Sequence, residues 1–422
     1  MHGRDVLGGG SAAPEFPYRH SLQSGRRHDL QRVRLLDGPF KEAQERDRKY
    51  LHDLDADRLL HNFRVTAGLP SAAEPLGGWE APKCELHGHF VGHYLSACAL
   101  MYASTGDEKL KAKANYLVAE LAQCQAALPG KGFNTGFLSA YSESFFDRVD
   151  KSERVWAPYY TLHKIMAGLL DMYQHAGNQQ ALDVLVKMAD WLKFRLDRLS
   201  HDQQQKALNT EHGGMNEVFA NLYGITGHPA HLQLARAFNH EVIFDPLARG
   251  EDQLNGKHAN TQIPKIIGAA REYELTGEAP FAAVASNFWQ YVALDRAYCI
   301  GGHSDSEHFF PVNDFARHLS ARSARHDPLA SHGGKHQAAE NRDAQQPDHA
   351  VKFALVIFVR EDVCRHGARN PPAGLWNRGG TVAATGRRCQ RRKPSQAGRI
   401  WRTGRFRWRD APRHVKLRPC PP

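Results

Sequence analysis

Four times between residues 101 and 278 the chain repeats one pattern: a helical run ends in Tyr, a Gly follows four residues later, and a polar residue opens a second run. The copies run through Tyr102 to Gly106-Asp107, Tyr173 to Gly177-Asn178, Tyr223 to Gly227-His228 and Tyr273 to Gly277-Glu278. Their tyrosines stand 71, 50 and 50 residues apart. Gly suits the left-handed position that closes a helix, where a Cβ clashes with backbone, and Asp107 or Asn178 can cap the next helix through a side-chain oxygen. The flanking stretches carry apolar residues at helical spacing. Leu110, Ala114, Leu117, Leu121, Cys124 and Leu128 share one face, as do Leu182, Leu185, Ala189, Leu192, Leu196 and Leu199. Leu162, Ile165, Leu169 and Met172 form a stripe behind Pro158, a favoured first-turn residue. Another helix is predicted from Phe40 to about Leu60, and no strand alternation competes across 38–297. A two-helix unit of this length fits an α/α toroid better than the shorter superhelical repeats. The expected fold is all-α, an incomplete (α/α)6 barrel, with roughly nine helices legible before residue 322.

Charge divides the chain. Residues 323–422 hold 17 Arg and 4 Lys against 7 acidic residues, so the tail carries +14 and the first 322 residues −4 of the net +10. The domain reading is therefore a disordered segment 1–29, a partial barrel 30–322 and an irregular basic tail 323–422. Basic and aromatic residues interleave at 387–393 and 401–409, a texture that suits single-stranded nucleic acid. Translation of a GC-rich gene out of frame yields the same Arg, Pro and Gly bias, and that is the reading adopted, with no nucleic-acid partner. No apolar run is long enough for a membrane span, and Met1–Phe16 lacks the apolar stretch of a signal peptide, so a cytoplasmic location is the default expectation. Seven widely spaced cysteines, at 84, 98, 124, 299, 364, 389 and 420, form neither a zinc-ribbon nor a disulfide pattern.

Polar clusters interrupt the helical stripes where inner helices begin. The first holds Gly77-Gly78-Trp79-Glu80 and then His87, His89 and His93. Trp79 and Glu80 suit stacking on a sugar and binding its hydroxyls. His89 and His93 are spaced to share a metal on one helix face, but no third ligand has diagnostic spacing, so no metal is assigned. The second cluster presents His163 one turn after Tyr159. The third, Glu211-His212-Gly213-Gly214-Met215-Asn216-Glu217, uses a Gly pair to let backbone approach something closely before a helix. Gly256-Lys257-His258 has a related construction. In the last, Gly301 to Phe309, Glu307 stands on a Gly-rich loop as a candidate general acid toward a glycosidic oxygen. Each of these histidines and acids also has an ordinary structural reading. Their recurrence at like points of successive repeats is what predicts that Glu80, His163, His212, His258 and Glu307 converge on one concave face.

These segments resemble glycoside hydrolase families 127 and 146. The resemblance rests on Val33–Phe40, Leu60–Val65, Gly77–Glu80, Gly88-His-Phe90 with Gly92–Ser96, Glu211–Glu217 and Gly301–Phe309. It implies an (α/α)6 barrel followed by β-sandwich domains, and retaining release of terminal β-L-arabinofuranose from plant glycans. It also implies that Glu307 is the general acid/base and that His163, His258 and His212 line the sugar pocket. Trp79, Glu80, His89, Asn216 and Glu217 complete the substrate-binding set. Members of the family carry a cysteine nucleophile on a zinc ion held by two further Cys and a Glu, beginning with a Glu-Thr-Cys motif shortly beyond the acid/base glutamate. Here residues 323–328 read Ser-Ala-Arg-His-Asp-Pro, and Cys364, Cys389 and Cys420 lack matching context. No cofactor is therefore expected in this chain, and a hydrolase lineage without catalysis is. A glycan-binding remnant and another α/α-barrel sugar enzyme, an epimerase or unsaturated-uronide hydrolase, are the competing readings. Without the closing helices, Ile263, Ile266, Ile267 and Phe288 are expected to lie exposed.

Overall fold

The computed structural model describes residues 30–298 and 301–319. All of these fall in one compact unit. The expectations for 1–29 and 323–422 lie outside the described residues.

Each Tyr–Gly copy is the joint of a helical hairpin. The pairs are α3 (His89–Thr105) with α4 (Glu108–Ala127), α6 (Pro158–Ala176) with α7 (Gln179–Leu196), α9 (Met215–Thr226) with α10 (Pro229–Ala237), and α12 (Ala259–Thr276) with α13 (Ala279–Trp289). At the four joints Gly106, Gly177, Gly227 and Gly277 take φ of 77°, 69°, 68° and 73°, each N–H returning to the Tyr carbonyl four residues earlier. Asp107 then accepts from the N–H of Lys109 and Leu110, and Asn178 from that of Ala181. The fourth joint differs, because Glu278 makes no side-chain cap.

Inner and outer helices alternate. Helices α3, α6, α9 and α12 each pack on the next, while α4, α7 and α10 follow one another outside them. Helices α6 and α12 are the most enclosed, with 13 of 19 and 11 of 18 residues buried, against 7 of 20 in α4, whose far side faces solvent. This is an arc of an α/α barrel, and the described residues contain no β-strand. The single helix predicted over 40–60 is two, α1 (Pro39–Asp53) and α2 (Ala56–Ala67), because Asp55 caps a new start through the N–H of Asp57 and Arg58. Four short helices occupy connections that the sequence pattern did not single out: α5 (Ser144–Asp150), α8 (His201–Ala207), α11 (Glu241–Ala248) and α14 (Phe315–Leu319). Among the described residues no helix is long and apolar enough to cross a membrane.

One expectation fails outright. Ile263, Ile266, Ile267 and Phe288 are at most 2% exposed. Their cover comes from α11, through Ile243, Phe244 and Leu247, and from the loop that returns after α13. Phe309 on that loop packs edge-on to Phe288 at 6.0 Å and is pinned by Phe309 N–H to the Lys257 carbonyl, 2.9 Å. An eight-residue helix and a loop do what the sequence reading reserved for helices further along.

The inner row also buries a lone acid. Glu272 is fully buried, with one oxygen accepting from Asn239 Nδ2 at 3.0 Å and the other unpartnered. Burial outweighs the Asn239 bond and pushes its pKa up to about 8. Between roughly pH 4.3 and that value the unfolded chain has released a proton that the folded chain retains, so stability falls as pH rises across the window. Glu272→Gln keeps an acceptor for Asn239 and cannot ionise. Thermal unfolding at pH 5 and pH 8 should show a larger loss for the native chain than for the variant, and equal losses would remove Glu272 as the cause.

Candidate active site

The first cluster begins in a single 3-10 turn, Gly78–Glu80, laid across the start of α3. The Glu80 carboxylate accepts the N–H of Gly88 at 2.6 Å and of Phe90 at 3.0 Å, and pairs with His89 Nδ1 at 2.6 Å. Burial by itself would raise this carboxyl. The His89 ring and the two N–H groups outweigh it and hold the pKa below its ordinary value. Both oxygens of Glu80 are thus engaged inside the fold, where they fix the first turn of α3 and the ring of His89.

Aromatic contacts run outward and inward from that ring. Trp79 lies 6.2 Å from His89 and 6.5 Å from Trp156, and the two indoles are nearly perpendicular at 89°. On the other side Tyr160 lies 6.3 Å from His89, and Lys164 Nζ sits 4.7 Å over the Tyr160 ring. His93, one turn along α3, meets His89 edge-on at 5.7 Å.

The second and third clusters are one object. Gly213 and Gly214 approach the ring of His163 so closely that an added Cβ would fall 2.6 Å from Nδ1 in one case and 3.0 Å from Nε2 in the other. The Gly pair therefore accommodates an imidazole of the neighbouring inner helix. His212 is fully buried with Nε2 unpartnered, and burial holds its pKa well below the ordinary value, so the ring is neutral. Asn216, also fully buried, fills the notch that Gly268 leaves in α12 and donates to the Lys265 carbonyl at 2.8 Å. Its amide is committed to joining α9 to α12. Glu217, half-buried, follows on the same turn.

Opposite them the loop carrying Glu307 docks on the start of α12. Ser306 and Glu307 hold φ of 51° and 67°, a strained conformation for residues with a Cβ, and the Glu307 carbonyl accepts the Ala259 N–H at 2.7 Å. The turn sends the Glu307 carboxylate to His258 Nε2 at 3.3 Å. On the far side of that imidazole, Nδ1 meets Thr261 Oγ1 at 2.6 Å and the Thr261 N–H at 3.3 Å, which fixes the ring with Nε2 toward the carboxylate. Glu211 lies within the field of both. Burial raises its carboxyl against the pull of His258, Lys164 and Lys265, and the Glu307 charge adds to the rise.

Residues 32–324 match the model of the β-L-arabinofuranosidase GH127 catalytic domain. The chain belongs to the GH127 family. Among solved structures, a GH127 β-L-arabinofuranosidase from Geobacillus stearothermophilus T6 is similar at 16% identity and a TM-score of 0.45, over 69% of this chain and 46% of that one. A second, a GH127 β-arabinofuranosidase, has 17% identity and a TM-score of 0.43, over 70% of this chain and 44% of that one. This chain spans less than half of either. No curated protein matches it.

For a GH127 chain, the described residues do not fit the zinc that the family resemblance implies, since no three His, Cys, Asp or Glu side chains are grouped to hold a metal ion. The described cysteines are Cys84, Cys98 and Cys124; the latter two are buried among the hairpins, where burial pushes their thiols up to about 12. Glu211, Tyr160 and Trp156 lie in the polar clusters of the sequence but were given no role there, and Lys164, Lys265 and His240 were not singled out. For Lys265 a signal existed. Lys265 interrupts the apolar run from Ile263 to Ile267, and a charge in a buried stripe must have a partner. It donates to His240 Nδ1 at 3.0 Å and Gln262 Oε1 at 3.1 Å, and burial, opposed by Glu211, pushes its pKa down to about 7.

Proposed function

We propose that this GH127 chain is the sugar-binding body of a retaining β-L-arabinofuranosidase lineage. It takes the non-reducing terminal L-arabinofuranose of a plant glycan at the mouth of its inner helices and holds it without cleaving it. The observation that carries the reading is the meeting of Glu307 and His258, residues 49 apart in sequence, within the field of Glu211. A carboxyl in this position, in its protonated form, can lend a proton to a glycosidic oxygen. Retention also needs a nucleophile on the opposite face of the sugar. Buried thiols with pKa near 12 hold no thiolate at neutral pH, and Ser323–Pro328 carries no Glu-Thr-Cys. The basic tail beyond is then read as out-of-frame sequence, and zinc as a cofactor this chain does not take up.

Two measurements on the full chain test this. Titration with L-arabinose and methyl β-L-arabinofuranoside should saturate, and His258→Ala should weaken both sugars. An aryl β-L-arabinofuranoside should release no more aryl alcohol than buffer does. Absence of saturable binding sinks the site, and enzymatic release sinks the claim that the chain is inert.

A further inference from the structure

Trp156 has no role in the site so far, yet it is 47% exposed beside it. A large indole left in water is unusual for a side chain that is mostly buried on average. Its backbone is nonetheless held firmly. Trp156 N–H donates to Glu85 Oε2 at 2.8 Å, and Arg148 donates to Glu85 Oε1 at 2.8 Å and to the Arg154 carbonyl. Val155 and Ala157 on either side are buried. The loop is thus anchored at three points while the ring stands out at the end of the series Tyr160, His89, Trp79, Trp156. With Trp79 half-buried and perpendicular to it, the pair makes a step with one apolar face turned to solvent.

We infer that Trp156, with Trp79 behind it, forms an outer carbohydrate subsite that stacks against the sugar next to the terminal residue held at the mouth. This rests on the preceding reading of the mouth as a sugar site and extends it to a substrate of at least two residues. The chemistry favours a neutral saccharide. Sugar rings offer a face of C–H groups to an indole, and the charges that anchor its loop, Glu85 and Arg148, are paired with each other. A preordered ring gains affinity because little is lost in fixing it.

The test compares L-arabinose with a β-L-arabinofuranosyl disaccharide, by calorimetric titration of the full chain, its Trp156→Ala and Trp156→Phe variants, and His258→Ala. The native chain should bind the disaccharide about tenfold more tightly than the monosaccharide, the scale of one aromatic contact. In Trp156→Ala that ratio should fall toward one, and in Trp156→Phe, which restores an aromatic face, most of it should return. His258→Ala should weaken both sugars and leave the ratio. A ratio near one in the native chain, or one untouched by Trp156→Ala, overturns the subsite. Equal weakening of both sugars by Trp156→Ala also overturns it, since the indole would then serve the mouth. If neither sugar binds the native chain, the failure lies in the reading of the mouth itself.

Discussion

Restoring the reading frame near codon 322 is expected to turn the chain, which we propose binds sugar without cleaving it, into an active, zinc-binding enzyme. The chain as it stands holds a positioned carboxyl, and a general acid alone is worth only about 10²–10⁴ in rate. Complete glycosidic catalysis requires a gain of at least about 10⁶, so most of the acceleration must come from groups outside the described body. The change of texture is abrupt, from a body of net −4 to a tail of +14, and the family match ends at residue 324. A one- or two-base shift at that junction alters every later residue and none before it. The repaired chain should encode Glu-Thr-Cys shortly after Glu307, and hydrolysis of an aryl β-L-arabinofuranoside should appear together with stoichiometric zinc by elemental analysis. Chelation should remove both. The idea is lost if no frame at the junction encodes that motif.

The second large effect is expected at Gly92. Helices α3 and α6 make the most extensive contact among the described residues, and they touch backbone to backbone. A Cβ at Gly92 would overlap the Lys164 carbonyl, and one at Gly168 would overlap the backbone of Gly92. Neither obstacle is a side chain that can swing away. Gly92→Ala should therefore cost about 3 kcal/mol or more, the upper end of overpacking. It should also impair sugar binding, because parting the two helices moves His89 away from Tyr160, His163 and Lys164. Gly106→Ala is the control. That glycine has positive φ, 77°, and open space around it, so only the left-handed penalty of about 1–2 kcal/mol applies. Thermal unfolding should rank Gly92→Ala well below Gly106→Ala, and similar melting of the two would refute the close-contact argument.

Periodicity and caps are local properties, which is why the sequence by itself determined the four hairpins. The Tyr–Gly joints, Asp107 and Asn178 at helix starts and the leucine faces all act within a few residues, and each sits in the structure where its chemistry requires. The recurrence of polar clusters where inner helices begin was legible for the same reason. Tertiary structure decided what each residue there touches. Glu80 reads as a sugar ligand but spends both oxygens on α3, and Asn216 spends its amide in the notch at Gly268. Glu307 gains His258 only because a strained turn returns over α12, and the isoleucines of that helix are covered by α11 and that returning loop. A side chain's partner depends on which distant backbone arrives beside it, and that is set by packing among helices tens of residues apart rather than by the spacing of neighbours along the chain.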